Sequence, residues 1–225
     1  STAPGRSRKT ILIIGYKGRM KPLPKKIYLA SKSPRRRELL RQMGIEFELL
    51  LLRDQTPRGP EVSEIVLPNE RAEDYVARVT LEKAEFAQKT MWWRKLPVRP
   101  ILAADTTVVL DGRILGKPAN EAEAIDMLRA LSGRTHQVLT HVAVLHDDKT
   151  FQLTQRSDVA FAALPEQVIR AYCATSEPYD KAGGYGIQGQ AALFIQDIAG
   201  SYSGIMGLPI FETGKLLEQA GIHIL

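Results

Sequence analysis

Ser31-Lys32-Ser33-Pro34-Arg35-Arg36-Arg37 is the stretch of this 225-residue chain whose residue types and spacing point most directly to chemistry. Ile27-Tyr28-Leu29-Ala30, just before it, reads as a short buried strand. A helix is expected from Pro34 to about Met43, with Ser33 as N-cap, Pro34 at the first helical position and Gly44 at the stop. A strand, a serine-rich turn and a helix start together present free backbone N–H groups and the positive end of a helix dipole, a ready anion cradle. Arg35, Arg36 and Arg37 oppose that dipole in the first turn. They make sense where a polyanion is gripped by guanidinium forks; the alternative is a basic surface cluster on a helix held by packing.

Four further features could serve the same chemistry. Asp105 ends the apolar run Ile101-Leu102-Ala103-Ala104 and precedes Thr106-Thr107. A carboxylate at a strand end can hold a cation, orient a water or accept its proton, or it can simply be a solvated turn residue. Lys83 lies four residues after Val79 and four before Ala87, on the apolar stripe of its helix. It either snorkels outward or serves a buried anion. Lys117, in Gly116-Lys117-Pro118, is a phosphate ligand beside a hairpin or an exposed cation. The segment Asp180-Lys181-Ala182-Gly183-Gly184-Tyr185-Gly186-Ile187-Gln188-Gly189 allows close backbone approach, and Gln188 offers a donor and an acceptor to a base edge. His136, His141, His146 and His223 have no metal-ligand spacing and read as strand or turn residues. Cys173 reads as a small core residue.

The elements that must position these groups alternate between helix and strand. Residues 53–69 look irregular, and a second helix is expected over Asn69–Lys89, with Ala72, Tyr75, Val76, Val79, Ala84 and Ala87 facing inward. Thr90–Pro100, with Trp92 and Trp93, reads as a loop. A strand runs from Ile101 to Asp105, and Thr106–Leu110 continues extended into an Asp111-Gly112 turn. Asn120 caps a third helix that stops before Gly133. Residues 136–145 and 151–163 alternate like antiparallel strands, Pro165–Ala174 is helical, 183–189 is a loop, Ala191–Ile198 a strand, and Pro209–Gln219 a closing helix. The order gives a mixed α/β domain with antiparallel additions to its sheet.

Composition narrows the class. The 44% hydrophobic and 25% charged content is that of an ordinary globular protein, and a single cysteine excludes an internal disulfide framework. No apolar run approaches a membrane span, so no membrane partner and a cytoplasmic location are expected. The pI near 9.4 suggests nucleic acid, but the excess charge is local. Residues 1–26 hold eight Lys or Arg and no acid; without them 23 basic residues face 25 acidic ones. Residues 1–24 are therefore expected to be a basic extension to one domain over 25–225, and nucleic-acid binding is unfavoured.

In this order the motifs resemble the Maf family of nucleoside triphosphate pyrophosphatases, within it the dTTP/UTP branch. The resemblance rests on Leu29-Ala30-Ser31-Lys32-Ser33-Pro34-Arg35-Arg36, on Ala104-Asp105-Thr106 with Gly116-Lys117-Pro118, on Leu131-Ser132-Gly133-Arg134-Thr135-His136, and on Asp180 through Gly189. It implies an α/β fold like that of the inosine-triphosphate pyrophosphatases (Ham1-like), a twisted mixed sheet with helices and two lobes around a cleft. It also implies cleavage of a nucleoside triphosphate to monophosphate and pyrophosphate, a divalent cation (Mg²⁺, or Mn²⁺) and a homodimer. Position by position, Asp105 matches the family's general base. Ser31, Arg36, Lys83 and Lys117 match substrate contacts, and Arg35, Thr106 and Gln188 match positions that distinguish the dTTP/UTP branch. One departure stands out: where the family carries an acidic pair after its second strand, an ungapped count gives Arg53 and Gln55. Asp54, Glu61 and Glu64 are the nearby carboxylates, and none is assigned. That departure leaves open a nucleotide-binding regulator of cell division with little turnover; the basic extension leaves open RNA association.

Overall fold

The structure, a computed structural model, describes residues 26–51 and 62–225. The basic extension over 1–24 lies outside these residues, as do Arg53, Asp54, Gln55 and Glu61.

A seven-stranded mixed sheet forms the frame. Its strands are β1 (Lys26–Leu29), β2 (Glu46–Leu49), β3 (Ile101–Leu110), β4 (Arg113–Leu115), β5 (Thr135–His146), β6 (Lys149–Phe161) and β7 (Ile195–Ala199). They lie in the order β2-β1-β3-β5-β6-β7, with β4 pairing β3 off this path. Only β1 pairs in parallel, with β2 and β3; the other pairings are antiparallel. The helices are α1 (Pro34–Gln42), α2 (Ala72–Trp93), α3 (Glu121–Leu131), α4 (Glu166–Cys173), α5 (Tyr202–Met206) and α6 (Ile210–Gln219).

Strand alternation assigns the faces. Leu102 and Ala104 of β3 pack with Leu39 and Leu40 of α1 and Leu216 and Leu217 of α6. Ile101 and Ala103 turn the other way, onto Ala84, Ala87 and Met91 of α2. Further along the long strands, Val108, Val138 and Val159 build a second core with α3, α4 and the aromatic rings of Phe161, Tyr172, Tyr185 and Phe194. These two centres of packing are the two lobes expected from the resemblance, and β3, β5 and β6 run through both.

Four sequence boundaries are corrected. The second helix starts at Ala72, because Asn69 adopts a left-handed φ of 60° that no helix interior accepts. It also runs on to Trp93, so residues 90–93 are helical and not loop. Packing of Met91 against the sheet, the Thr90 hydroxyl donating to the Phe86 carbonyl at 2.9 Å and the Phe86–Trp93 edge contact at 6.0 Å hold that last turn. Residues 190–194 form a 3-10 turn before β7, because the Glu177 carboxylate accepts from the backbone N–H groups of Gln190 (3.0 Å) and Ala191 (3.3 Å) and winds the chain there. Finally, β3 does not end at Asp105. It is continuous across it, paired to β5 as Asp105 with His141 and Thr106 with Thr140.

Candidate active site

The site lies where the sheet has a gap. β1 pairs with β3 only at Ile101 and Leu102, and β4 takes over only at Val108. Residues 103–107 of β3 thus have an open edge on that side. The Ser31–Ser33 turn leaves β1 at this gap, which explains how a mid-strand Asp105 still reaches a crevice. Because consecutive side chains point to opposite faces, Asp105 reaches α2 while Thr106 reaches α1. A cavity of about 570 Å³ wraps the edge and exposes both.

On the α2 side, Lys83 Nζ lies 2.9 Å from Asp105 Oδ1 and 2.7 Å from Glu64 Oε1. Lys83 therefore does not snorkel; its apolar-stripe position carries an ammonium between two carboxylates. Burial acts to lower its pKa, but Asp105 and Glu64 outweigh it and hold the pKa above the ordinary lysine value. For Glu64, burial acts upward, and Lys83, Lys117 and Arg36 together pull its carboxyl below the ordinary range. Glu64 itself is held by α2: the Tyr75 hydroxyl donates to the Glu64 carbonyl at 3.1 Å. Arg78 donates to the Ile65 carbonyl at 3.0 Å and to Glu70 at 2.6 Å. Of the three nearby carboxylates left unassigned, Glu64 is the one among the described residues, and it lies at the cavity. The loop before α2 is long, and its folding back onto Tyr75 and Arg78 brings in a residue far from Ser33 in sequence.

On the α1 side, Ser33 caps the helix as expected, accepting from the Arg36 N–H. The three arginines then part company. Arg36 is 9% exposed and donates from Nε to the Gly207 carbonyl (2.6 Å), from one terminal nitrogen to Ser31 Oγ (3.2 Å), and from the other to Thr106 Oγ1 (3.1 Å). Burial pushes its pKa down against the pull of Asp105, yet a guanidinium stays charged. Of its five N–H donors, two remain for a ligand. Ser31 Oγ also accepts from the Ser33 N–H at 3.2 Å, so its own proton is free to donate outward. Arg35 reaches across the cavity to Asp180 at 3.2 Å, and Arg37 folds back onto the Lys32 carbonyl at 3.0 Å.

The remaining sequence-derived residues converge on the same cavity. Lys117 and Gln188 both line it and both are exposed. Gly183, at φ +71°, lies so close to Val108 that a Cβ would meet its side chain at 2.9 Å, so the loop carrying Gln188 packs tightly on β3. Val108, Val138 and Ile187 give this end an apolar wall. Among the histidines, His136 and His141 are buried strand residues, and Cys173 is buried in the second core. One end of the cavity is therefore cationic with free donors, the other apolar with an amide at its rim. That polarity suits a molecule with a polyanionic end and a flat heterocycle.

Comparison with known proteins places this geometry in a lineage. The dTTP/UTP pyrophosphatase of Aromatoleum aromaticum is 53% identical over 203 residues, covering 90% of this chain and 98% of that protein. The dTTP/UTP pyrophosphatase of Ralstonia nicotianae is 54% identical over 199 residues, covering 88% and 95%. The solved Staphylococcus aureus Ham1 protein aligns over 61% of this chain and 72% of its own, at 16% identity and a TM-score of 0.41. The profile of the family described as Maf-like protein matches residues 26–220, from the first strand to just past the last helix and across every side chain of the cavity. By sequence over nearly all of its described length, this chain belongs to the Maf-like protein family.

Proposed function

We propose that this chain hydrolyses dTTP and UTP to the monophosphate and pyrophosphate. The observation that carries the proposal is the cluster Glu64–Lys83–Asp105 beside the Ser31–Arg36 turn, in a chain about half identical to proteins named dTTP/UTP pyrophosphatase.

Water attacks the α-phosphorus, the bond from that phosphorus to the oxygen bridging to the β-phosphate breaks, and pyrophosphate leaves. Asp105 commits Oδ1 to Lys83, which fixes the carboxylate and leaves Oδ2 to orient the water and accept its proton. Ser31 Oγ–H, the two remaining Arg36 donors and the α1 N-terminus hold phosphate oxygens. Lys83 and Lys117 neutralise charge that develops on the leaving group, so positioning and electrostatics supply most of the acceleration. Arg35, Thr106 and Gln188 form the selective end.

A divalent cation, Mg²⁺ or Mn²⁺, fits the donor set: Glu64 and Asp105 both lie within 3 Å of one ammonium, so a shared cation can span them too. Among the described residues no cluster of three or more His, Cys, Asp and Glu offers an all-protein cage. Substrate oxygens and water would complete the shell, as is usual for magnesium. When bound, the cation neutralises the triphosphate. Glu64 beside Lys83 and Asp105 favours turnover over the alternative of a low-turnover regulator. A homodimer and a cytoplasmic location complete the proposal; among the described residues no helix is long and apolar enough to cross a membrane.

The test is release of monophosphate and pyrophosphate from a panel of nucleoside triphosphates with Mg²⁺ or Mn²⁺. Asp105→Asn should lower turnover of dTTP by about a hundredfold or more. Wild-type release by that variant, or nucleoside diphosphate and orthophosphate as products, would overturn the mechanism.

A further inference from the structure

Beyond the residues that touch the cavity, the buried hydroxyl of Thr140 holds a position that no motif assigns. Thr140 lies in mid-β5, is fully buried, and donates to the Gly204 carbonyl at 2.7 Å. A hydroxyl has one proton, and this bond uses it. The 2.9 Å contact between Thr106 Oγ1 and Thr140 Oγ1 must then run with Thr106 as donor. Thr106 has spent its own proton in turn, so toward Arg36 it can only accept, as the 3.1 Å contact from the guanidinium requires. The chain Arg36 → Thr106 → Thr140 → Gly204 is thus polarised in one direction throughout, and its sense is set at Thr140.

The other end of the chain also returns to Arg36. The Gly204 carbonyl belongs to α5, whose last turn ends at Gly207. Gly207 presents its carbonyl to Arg36 Nε at 2.6 Å and has a φ of +121°, a backbone region that favours glycine. A Cβ there would lie 3.4 Å from Arg36 Nε, in direct contact with the guanidinium. Thr140 therefore pins the short helix that supplies one acceptor and orients the hydroxyl that supplies another.

We propose that Thr140 is a positioning residue for Arg36, fixing both the Thr106 and the Gly207 acceptors so that the two unused guanidinium donors face the phosphate end of the cavity. A corollary is that Thr106 acts on the substrate through Arg36 as well as by lining the cavity. The inference rests on the phosphate-binding role given to Arg36 above.

Three variants test it: Thr140→Val keeps shape and removes the hydroxyl, Thr140→Ser keeps the hydroxyl, and Arg36→Lys removes the fork. The readouts are steady-state kcat and KM with dTTP, calorimetric affinity for inorganic tripolyphosphate, and Tm. Thr140→Val should weaken tripolyphosphate binding and lower kcat/KM by about tenfold, the loss expected from one misdirected buried hydrogen-bonding group. Thr140→Ser should stay within about threefold of the wild type. In the Arg36→Lys background the Val substitution should add less than about twofold, since groups acting through one another are not additive. Equal losses from Val and Ser, or an undiminished tenfold loss in the Arg36→Lys background, would show a purely structural role and overturn the inference. Because tripolyphosphate affinity is read without turnover, a wild-type protein that binds it but releases no pyrophosphate would refute the proposed function and leave this inference standing.

Discussion

Replacing Lys83 with Met tests the electrostatic reasoning most sharply. Lys83 is 15% exposed and is shared by Asp105, 14% exposed, and Glu64, 49% exposed. Met is similar in length and a good helix former, so the Val79–Ala87 stripe of α2 keeps its packing. What disappears is the charge between two carboxylates. Removing one partner of a largely buried pair costs about 3–5 kcal/mol. The half-exposed Glu64 is screened by solvent, which argues for the lower end. That cost falls on folding stability; a loss of similar size, about 3 kcal/mol, in neutralising the triphosphate in the transition state lowers kcat/KM roughly a hundredfold. The pH dependence changes as well. In the wild type the cations hold the Glu64 carboxyl below its ordinary 4.5. Its contribution to stability is therefore present above that value and lost as pH falls through the folded value. Lys83, held above its ordinary 10.5, contributes below that value and loses its contribution as pH rises through its folded value. In Lys83→Met the first-ranked influence on Glu64, burial, loses its main counterweight, and any acid limb of kcat/KM that Glu64 sets should move to higher pH. Pyrophosphate release measured across pH, with Tm recorded at each point, is the assay. A variant with wild-type kcat/KM and an unmoved acid limb would refute the cluster's role.

Other positions give quicker checks. Gly183→Ala should lower stability by about 2 kcal/mol, because φ is +71° and the new Cβ would meet Val108 at 2.9 Å; thermal or urea unfolding measures it. Arg35→Ala removes the contact to Asp180 across the cavity and should compress the preference for dTTP and UTP over other nucleotides, read as kcat/KM ratios, with Tm nearly unchanged because Asp180 is largely exposed. His136, 2% exposed and desolvated by the second core, is held down to about 4. Its folded value lies below the unfolded 6.5, so the unfolded chain binds more protons in between, and stability should fall as pH drops from 6.5 toward 4. The full loss is about 3 kcal/mol, and a His136→Asn variant should show a flatter Tm profile over that window.

The parts of this fold that sequence reveals are those whose cause is local. Ser33 caps α1, Asn120 caps α3, and Asp111-Gly112 closes β3 onto β4 because each signal acts within a few residues of its own backbone. The inward face of α2 is legible for the same reason: a periodicity of 3.6 needs no knowledge of the partner. The 3-10 turn at residues 190–194 was hidden because its cause, Glu177, lies 13 residues away from Gln190. β3 through Asp105 shows a different failure, since an apolar run ended there in sequence while the ladder to β5 carried on regardless of side-chain polarity.

Site residues divide along the same line. Arg36 is visible as a charge in a motif, but the sequence gives it no direction; the structure supplies one through Ser31 five residues away, Thr106 seventy away and Gly207 further still. Arg35, Arg36 and Arg37 look equivalent as a run of like residues, and the fold makes one a contact across the cavity, one a buried fork and one a strap onto its own turn. Glu64 was within view but could not be chosen over its neighbours, because an irregular loop has no period from which to infer a direction. What selects it is α2: Tyr75 and Arg78, three residues apart and so on one helical face, take hold of the consecutive backbone carbonyls of Glu64 and Ile65. The carboxylate that completes the charge cluster is thus specified by two residues of a helix, neither of which touches the cavity.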